Sequence, residues 1–186
     1  SSAQRDALFV HPIRAALIPP SDEERNLESV CKALLHRYNG DAFRRIVYTE
    51  SHDEVANGRA RLAHEINPED PESWESKKRS TLGAALVLTA PGIPMLFQGQ
   101  EFLEDEWFCD TDPIDWYKLK ELPGIHNMYR DLILLRRNLD GTTRGLTGHG
   151  AYDPNASGKT GRGEAGTRKA LVIGMGKAEK QRARHQ

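Results

Sequence analysis

The chain has 186 residues, and 26 lysine and arginine residues nearly balance 27 aspartate and glutamate residues. This balance argues against a protein that binds nucleic acid or a membrane surface through a polybasic chain. Two cysteines, Cys31 and Cys109, lie far apart without a CxxC spacing, which indicates neither a zinc site nor a disulfide framework, and a reducing cytoplasm is expected. We recognise no leader and no apolar run of membrane-spanning length, so no membrane partner is expected.

The first forty residues predict two helices. A short helix is expected over residues 11–17, and the Pro-Pro pair at positions 19 and 20 prevents it from continuing. Ser21 or Asp22 can cap a second helix over residues 23–38, where apolar residues recur at spacings of three, four and seven. Asn39-Gly40 is expected to end that helix, with the glycine in the left-handed conformation.

A short buried strand is predicted at Ile46-Val47-Tyr48-Thr49, which is rich in β-branched residues and lacks helical periodicity. Three ionisable residues follow it: His52, Asp53 and Glu54. In α/β barrels the active site lies at the carboxyl ends of the strands, because the strand fixes the backbone and the loop after it presents the side chains. Ser51-His52-Asp53 is therefore the first candidate site. An ordinary Asx turn beside a hydrogen-bonding histidine fits the same residues.

Residues 59–74 are charged, contain proline and lack periodicity, which predicts a long loop that can act as a substrate-facing flap. Ser73 or Ser76 can cap the next helix, whose apolar second half should be buried. Ala90-Pro91-Gly92 is expected to end this helix.

A second strand is predicted at residues 93–97, again followed by polar residues. Strand, helix and strand then form a βαβ unit, in which both strands run parallel and their carboxyl ends meet at one edge of the sheet. We therefore expect Asp53 and Glu101 to face one another across a cleft.

Residues 102–122 are acidic, aromatic and non-periodic. Their aromatic residues can stack on sugar rings or can pin an irregular loop to the body of the protein; they are Trp107, Phe108, Trp116 and Tyr117. Residues 127–138 then predict a final amphipathic helix with arginines around its apolar side.

The last part of the chain has a different composition. Ten of the sixteen glycines lie between Gly141 and Gly176, and large apolar residues are scarce. Such a segment buries too little apolar surface to offset its chain entropy, so residues 141–186 are expected to be a largely disordered tail with at most a short strand at 170–173. Gly174-Met175-Gly176 lacks the third glycine and the helix of a dinucleotide loop, and no cofactor is expected.

Two segments, RIVYTESHDEVANG and TAPGIPMLFQGQEF, lie about forty residues apart and together resemble the end of the catalytic barrel in the alpha-amylase superfamily, glycoside hydrolase family 13. Ser51-His52-Asp53-Glu54 matches the element after the seventh barrel strand, and Gly99-Gln100-Glu101-Phe102 matches the element after the eighth. The continuation PIDWYKL…GIHNMYRDLILLRRN is most similar to 1,4-alpha-glucan branching enzymes. The resemblance covers residues 3–138 and departs from the family at Arg5, where relatives tend to carry an aromatic residue.

The resemblance implies an α/β fold, namely the last strands and helices of a (β/α)8 TIM barrel in residues 1–140. It implies that Asp53 is the third catalytic carboxylate, which holds the hydroxyls of the sugar being cleaved, while His52 and Glu101 bind substrate. It also implies an alpha-1,4-glucan, glycogen or a starch-like oligosaccharide, as the partner. The nucleophile and the general acid come from the fourth and fifth strands of the family, which have no match here. The chain alone should therefore be inactive unless the missing amino-terminal barrel segment is supplied.

Two other interpretations remain open. The chain can be a non-catalytic carbohydrate-binding or scaffolding fragment that uses the Asp53 cleft and the aromatic loop. His52, Asp53, Glu54 and His64 can also be read as a metal site, although they lack the i, i+4 spacing of a helical histidine pair.

Overall fold

A small parallel sheet positions the candidate site. The computed structural model describes residues 3–56 and 59–138. Three strands pair in chain order: β1 (Gln4–Arg5), β2 (Arg45–Val47) and β3 (Ile93–Pro94). Both pairings are parallel. The predicted parallel βαβ arrangement of the second and third strands is confirmed.

Helices precede and follow the central and last strands. They are α1 (Ala7–Leu17), α2 (Leu27–Leu35), α3 (His52–Val55), α4 (Leu62–Ile66), α5 (Trp74–Thr89), α6 (Lys118–Glu121) and α7 (Pro123–Arg137). Short 3-10 turns occupy Asp22–Glu24, Ala42–Arg44 and Gln100–Phe102. Among the described residues no helix is both long and apolar enough to cross a lipid bilayer.

The amino-terminal helices differ from their predicted bounds. The first begins at Ala7 because the Asp6 side chain accepts a hydrogen bond from the Leu8 amide and caps it. The second is shorter than predicted at both ends. Its cap is Asn26, which accepts from the Ser29 amide, whereas Ser21 caps the preceding 3-10 turn.

Asn39 and Gly40 do adopt left-handed conformations, with φ of 51° and 75°. They do not end a helix, because α2 has already stopped at Leu35. Instead they form a tight turn closed by a bridge between Tyr38 and Asp41. The predicted left-handed conformation of Gly40 is therefore confirmed, whereas the prediction that Asn39-Gly40 ends the second helix is wrong.

Both predicted strands are shorter in the structure, although the chain beyond β2 stays buried. The Thr49 carbonyl accepts from Arg14 at 2.9 Å and the Thr49 hydroxyl accepts from Gln100 at 2.5 Å, so side chains replace the strand ladder there. The predicted loop over residues 59–74 contains α4, which the periodicity did not reveal. A carboxylate oxygen of Glu50 accepts from the Leu62 amide at 2.7 Å and caps this helix.

The apolar core has two clusters that meet at α5. One packs α1, α2 and α4 against β2 and α5, around Phe9, Ile13, Val47 and Val87. The other packs α4 and α7 against α5. A methyl group on Gly83 would lie 2.8 Å from a methyl carbon of Leu17, so this glycine permits the close approach of α1 and α5.

The final predicted helix is present as α7, and its arginines do not all face solvent. Arg136 is buried and donates to the carbonyls of Leu88 and Ala90 at 2.8 and 3.0 Å, and also to the Gly92 carbonyl. It therefore satisfies the carbonyl end of α5 and the turn before β3. Burial lowers the pKa of Arg136. The predictions for residues 141–186 lie outside the described part of the chain.

Candidate active site

The first candidate residues lie just beyond the carboxyl end of β2. Residues 48–51 continue from the strand as buried backbone, and the chain then turns into α3. His52 and Asp53 form the first turn of that helix, with exposed side chains. The His52 Nε2 atom lies 2.9 Å from the Asp53 Oδ1 atom. The structure therefore brings together the histidine and the aspartate that the sequence singled out.

The other oxygen of Asp53 is held by Arg5. Arg5 Nη1 donates to Asp53 Oδ2 at 2.6 Å. Arg5 is the last residue of β1, which is the parallel neighbour of β2, so the carboxyl ends of two strands meet at this aspartate. The family resemblance singled out Arg5 as a departure from the family but gave no indication of this contact.

The residues on either side of the pair are buried. Glu54 is buried and forms an ion pair with Arg59 at 3.4 Å. The Ser51 hydroxyl is buried without a hydrogen-bond partner among the described residues. Burial raises the pKa of the Tyr48 hydroxyl, and the Glu54 carboxylate raises it further, so this phenol stays neutral. The exposed His52 and Asp53 side chains are thus flanked by buried residues.

Glu101 lies beyond β3, within the 3-10 turn Gln100–Phe102. Gly99 precedes the turn with φ of 86°, and a methyl group there would lie 2.6 Å from the Glu104 Cβ atom. Only glycine fits both the conformation and the space. Asp53 and Glu101 therefore follow neighbouring parallel strands, as predicted.

Glu101 lines a groove of about 510 Å³ between the segment after β3 and α7. The other lining residues are mostly apolar or basic: Leu96, Phe97, Gln98, His126, Tyr129, Arg130, Ile133, Leu134 and Arg137. Asp53 is not among them, so a cleft shared by Asp53 and Glu101 stays a prediction. Burial raises the pKa of Tyr129 well above its ordinary value, and the Glu50 and Glu101 carboxylates add to this, so the tyrosine stays protonated beside them.

A buried polar network joins the segments after β2 and β3, and the sequence did not predict it. Arg61 Nη1 lies 3.2 Å from a carboxylate oxygen of Glu50 and donates to the Gln98 carbonyl at 2.9 Å. Its Nε atom donates to the Glu106 carbonyl at 3.0 Å, and the guanidinium lies 4.7 Å from the centroid of the Phe97 ring. Arg61 thus fixes the two segments against each other. The one sequence feature that could have indicated this network is Glu50, a charged residue directly after a predicted buried strand.

The acidic and aromatic segment after Phe102 is organised by a buried carboxylate. Glu104 accepts from the backbone amides of Asp105 and Glu106, both at 3.1 Å, and of Asp115 at 2.9 Å. Lys118 contacts Asp105 and lies 3.3 Å from Glu72, which joins this segment to the region before α5. Burial alone lowers the pKa of Lys118, but these two carboxylates outweigh it and raise that pKa.

The aromatic residues of this segment divide between packing and exposure. Phe108 packs edge-on against Phe97 at a centroid distance of 5.5 Å. Trp107, Trp116 and Tyr117 are 56, 62 and 72% exposed. Pinning therefore describes Phe108 and, in part, Trp116, whose ring lies 5.3 Å from that of the buried Phe102. Trp107 and Tyr117 leave large aromatic surfaces in solvent.

The alternative metal site gains no support from the geometry. Within residues 3–56 and 59–138 no group of three or more histidine, cysteine, aspartate or glutamate side chains is arranged to hold a metal ion. Asp53 is engaged by Arg5 and His52, and Glu54 by Arg59.

Comparison with known proteins gives partial matches to one enzyme class, and no family model matches the chain. The chain is 35% identical over 115 residues to the 1,4-alpha-glucan branching enzyme GlgB of Shewanella frigidimarina. The matched segment covers 55% of the chain and 15% of that enzyme. It is 30% identical over 84 residues to GlgB of Marinobacter nauticus, covering 44% of the chain and 13% of that enzyme. GlgB of Shewanella sp. strain MR-4 is 38% identical over 92 residues, covering 47% of the chain and 12% of that enzyme.

Over about half of its length the chain is similar to 1,4-alpha-glucan branching enzymes. The matched segments are a small share of those enzymes, between 12 and 15% of their length.

Proposed function

We propose that the described region is the carboxyl-terminal part of an alpha-glucan-active barrel of the retaining, branching-enzyme type. The observation that carries the proposal is the pair of His52 and Asp53 directly beyond the carboxyl end of the central strand of a parallel sheet. Parallel α/β barrels place their catalytic side chains at that end. The partial similarity to 1,4-alpha-glucan branching enzymes supports an alpha-glucan as the substrate.

The order of the elements supports a partial (β/α)8 barrel. The strands pair in chain order, and helices that follow successive strands touch, α1 with α5 and α5 with α7. Neither β1 nor β3 has a second strand neighbour among the described residues. Unpaired edges of a parallel sheet need cover, and further barrel strands would supply it.

In this proposal Asp53 holds two hydroxyls of the sugar whose bond is broken. Retaining glycosidases pass through an oxocarbenium-like transition state with a distorted sugar ring, and hydrogen bonds to ring hydroxyls that strengthen there supply several kcal/mol. His52 donates to the same sugar. Glu101 forms part of the floor of the site, in the groove beside α7.

The nucleophile and the general acid are supplied by a segment outside this sequence. A retaining site needs those two carboxyl groups about 5–5.5 Å apart, in addition to the carboxylate assigned to Asp53. The chain on its own therefore binds glucan weakly and does not turn it over.

Complementation tests this division of roles. The purified chain is mixed with a branching enzyme truncated before the strand that corresponds to β1, and branching of amylose is followed by loss of iodine staining. Neither part alone should act, and the mixture should. An Asp110→Asn chain, altered at an exposed aspartate, is the control and should complement as well as the wild type. Turnover by the chain alone would contradict the proposal.

A second candidate is a non-catalytic carbohydrate-binding fragment, and the exposure of Trp107, Trp116 and Tyr117 favours it. Exposed aromatic faces can stack on sugar rings. Calorimetry with maltooligosaccharides separates the two functions, because a binding module should bind tightly without any complementing part. Loss of that tight binding in Trp107→Ala would support the second function, and weak binding unaffected by Trp107→Ala supports the first.

A further inference from the structure

We propose that Arg5 competes with the glucan for Asp53, so that the sugar-holding carboxylate is masked until this ion pair opens. The inference rests on the proposed function and adds to it a control of substrate affinity within the same site. It follows from the contacts of Asp53, the position of Arg5 in the sheet and the charge of the substrate.

Both oxygens of Asp53 already have a close polar neighbour. Arg5 Nη1 donates to Oδ2 at 2.6 Å, and His52 Nε2 lies 2.9 Å from Oδ1. In a bond between a guanidinium and a carboxylate both groups are ionised, whereas in a bond from a sugar hydroxyl only the carboxylate is. A sugar hydroxyl is a neutral donor, so it gains little at Oδ2 while Arg5 remains there.

Arg5 is held at its backbone and free to move at its head. It pairs with Ile46 across the sheet, and Ile46 pairs with Ile93, so the three residues stand side by side on one face. The next residue, Asp6, is fully buried and caps α1. The side chains of Arg5 and Asp53 are nevertheless 44 and 54% exposed. The guanidinium can therefore swing into solvent without disturbing the strand.

The competition has a consequence for salt dependence. An alpha-glucan is uncharged, and its binding to a carboxylate is ordinarily insensitive to ionic strength. An exposed ion pair is weakened by salt. If binding requires the pair to open, added salt should increase the affinity for a neutral ligand, which is opposite to the usual effect on a charged one.

The test is an NMR titration of the full chain with maltoheptaose, which detects weak binding through the Asp53 carboxyl and His52 ring signals. Arg5→Gln should increase the affinity about two- to fivefold, the range expected for releasing an exposed ion pair. The wild-type affinity should rise between low and high salt, and the Arg5→Gln affinity should not. Arg44→Gln is the matched control, because Arg44 pairs with Asp41 at 3.6 Å with side chains 41 and 49% exposed, before the opposite end of β2.

The outcomes separate this inference from the function on which it rests. Equal, salt-independent affinities in the wild type and Arg5→Gln, with binding lost in Asp53→Asn, would overturn the competition and leave the sugar-binding role of Asp53 intact. No change of any signal with maltoheptaose, in any variant, would overturn both. The salt dependence of the wild type tests the inference even if Arg5→Gln does not fold.

Discussion

Two carboxylates beyond the end of β2 pair with arginines in opposite ways. Glu50 and Arg61 are buried, and Arg61 also donates to carbonyl groups in the segments after β3. Asp53 and Arg5 are exposed, and the pair joins the tips of β1 and β2. Breaking a buried pair leaves an uncompensated charge and costs about 3–5 kcal/mol, whereas an exposed pair is worth about 0.2–1 kcal/mol. The first pair fixes loops, and the second can exchange its partner for a ligand.

The largest expected effect is at the buried pair. Arg61→Ala should lower the free energy of unfolding by about 3–5 kcal/mol, because Glu50 is left buried without its cation and two carbonyls lose their donor. Urea denaturation followed by circular dichroism measures it. Arg130→Ala, which breaks an ion pair with Asp131 whose side chains are 58 and 66% exposed, is the control and should cost less than about 1 kcal/mol. Similar losses for both variants would contradict the distinction between the two pairs.

The turn that carries Glu101 should also be sensitive. Gly99→Ala should cost about 1–3 kcal/mol, because alanine is strained at φ of 86° and its methyl group would meet the Glu104 side chain. Gly124→Ala is the matched control, since nothing lies within 4 Å of a methyl group at that helical position. It should leave stability unchanged or raise it by up to about 1 kcal/mol. A neutral Gly99→Ala variant would show that the turn is less constrained than described.

Local sequence patterns predicted most of the secondary structure, but they did not predict the side-chain contacts between distant segments. The βαβ unit was visible because strand composition, a capping serine at position 73 and the breaker Ala90-Pro91-Gly92 are all local signals. The network around Arg61 could not be predicted, because the partners of Arg61 lie 11 to 45 residues away in the sequence. The cap that Glu50 supplies to α4 is equally invisible to periodicity, which is why a loop was expected there.

The buried hydroxyl of Tyr129, beside the groove, predicts that the stability of the protein falls at alkaline pH. The pKa of Tyr129 is raised in the folded protein above the ordinary 10.0, so folding keeps its proton while the unfolded chain loses it. Stability from this group is complete below pH 10 and declines above it, by up to about 1.4 kcal/mol per pH unit. Tyr129→Phe should flatten that decline in urea denaturation across this range, and Tyr117→Phe, at an exposed tyrosine, should not. Identical curves for all three proteins would contradict the burial of the Tyr129 hydroxyl.

The smallest effect on stability is expected at the exposed pair. Arg5→Gln should change the free energy of unfolding by less than about 1 kcal/mol, because both side chains are open to solvent. The same urea measurement checks it. A loss as large as that of Arg61→Ala would mean that Arg5 holds the fold together and is not free to release Asp53.

The most direct test of the account is the activity of Asp53→Asn in the complemented enzyme. Asparagine keeps the shape of the side chain and removes the charge that the account assigns to the transition state. We predict that kcat/KM for amylose branching falls about 100- to 1000-fold, as for other preorganised transition-state contacts, while the free energy of unfolding stays within about 1 kcal/mol of the wild type. An Asp53→Asn chain that complements as well as the wild type would contradict the assignment of Asp53 to the site.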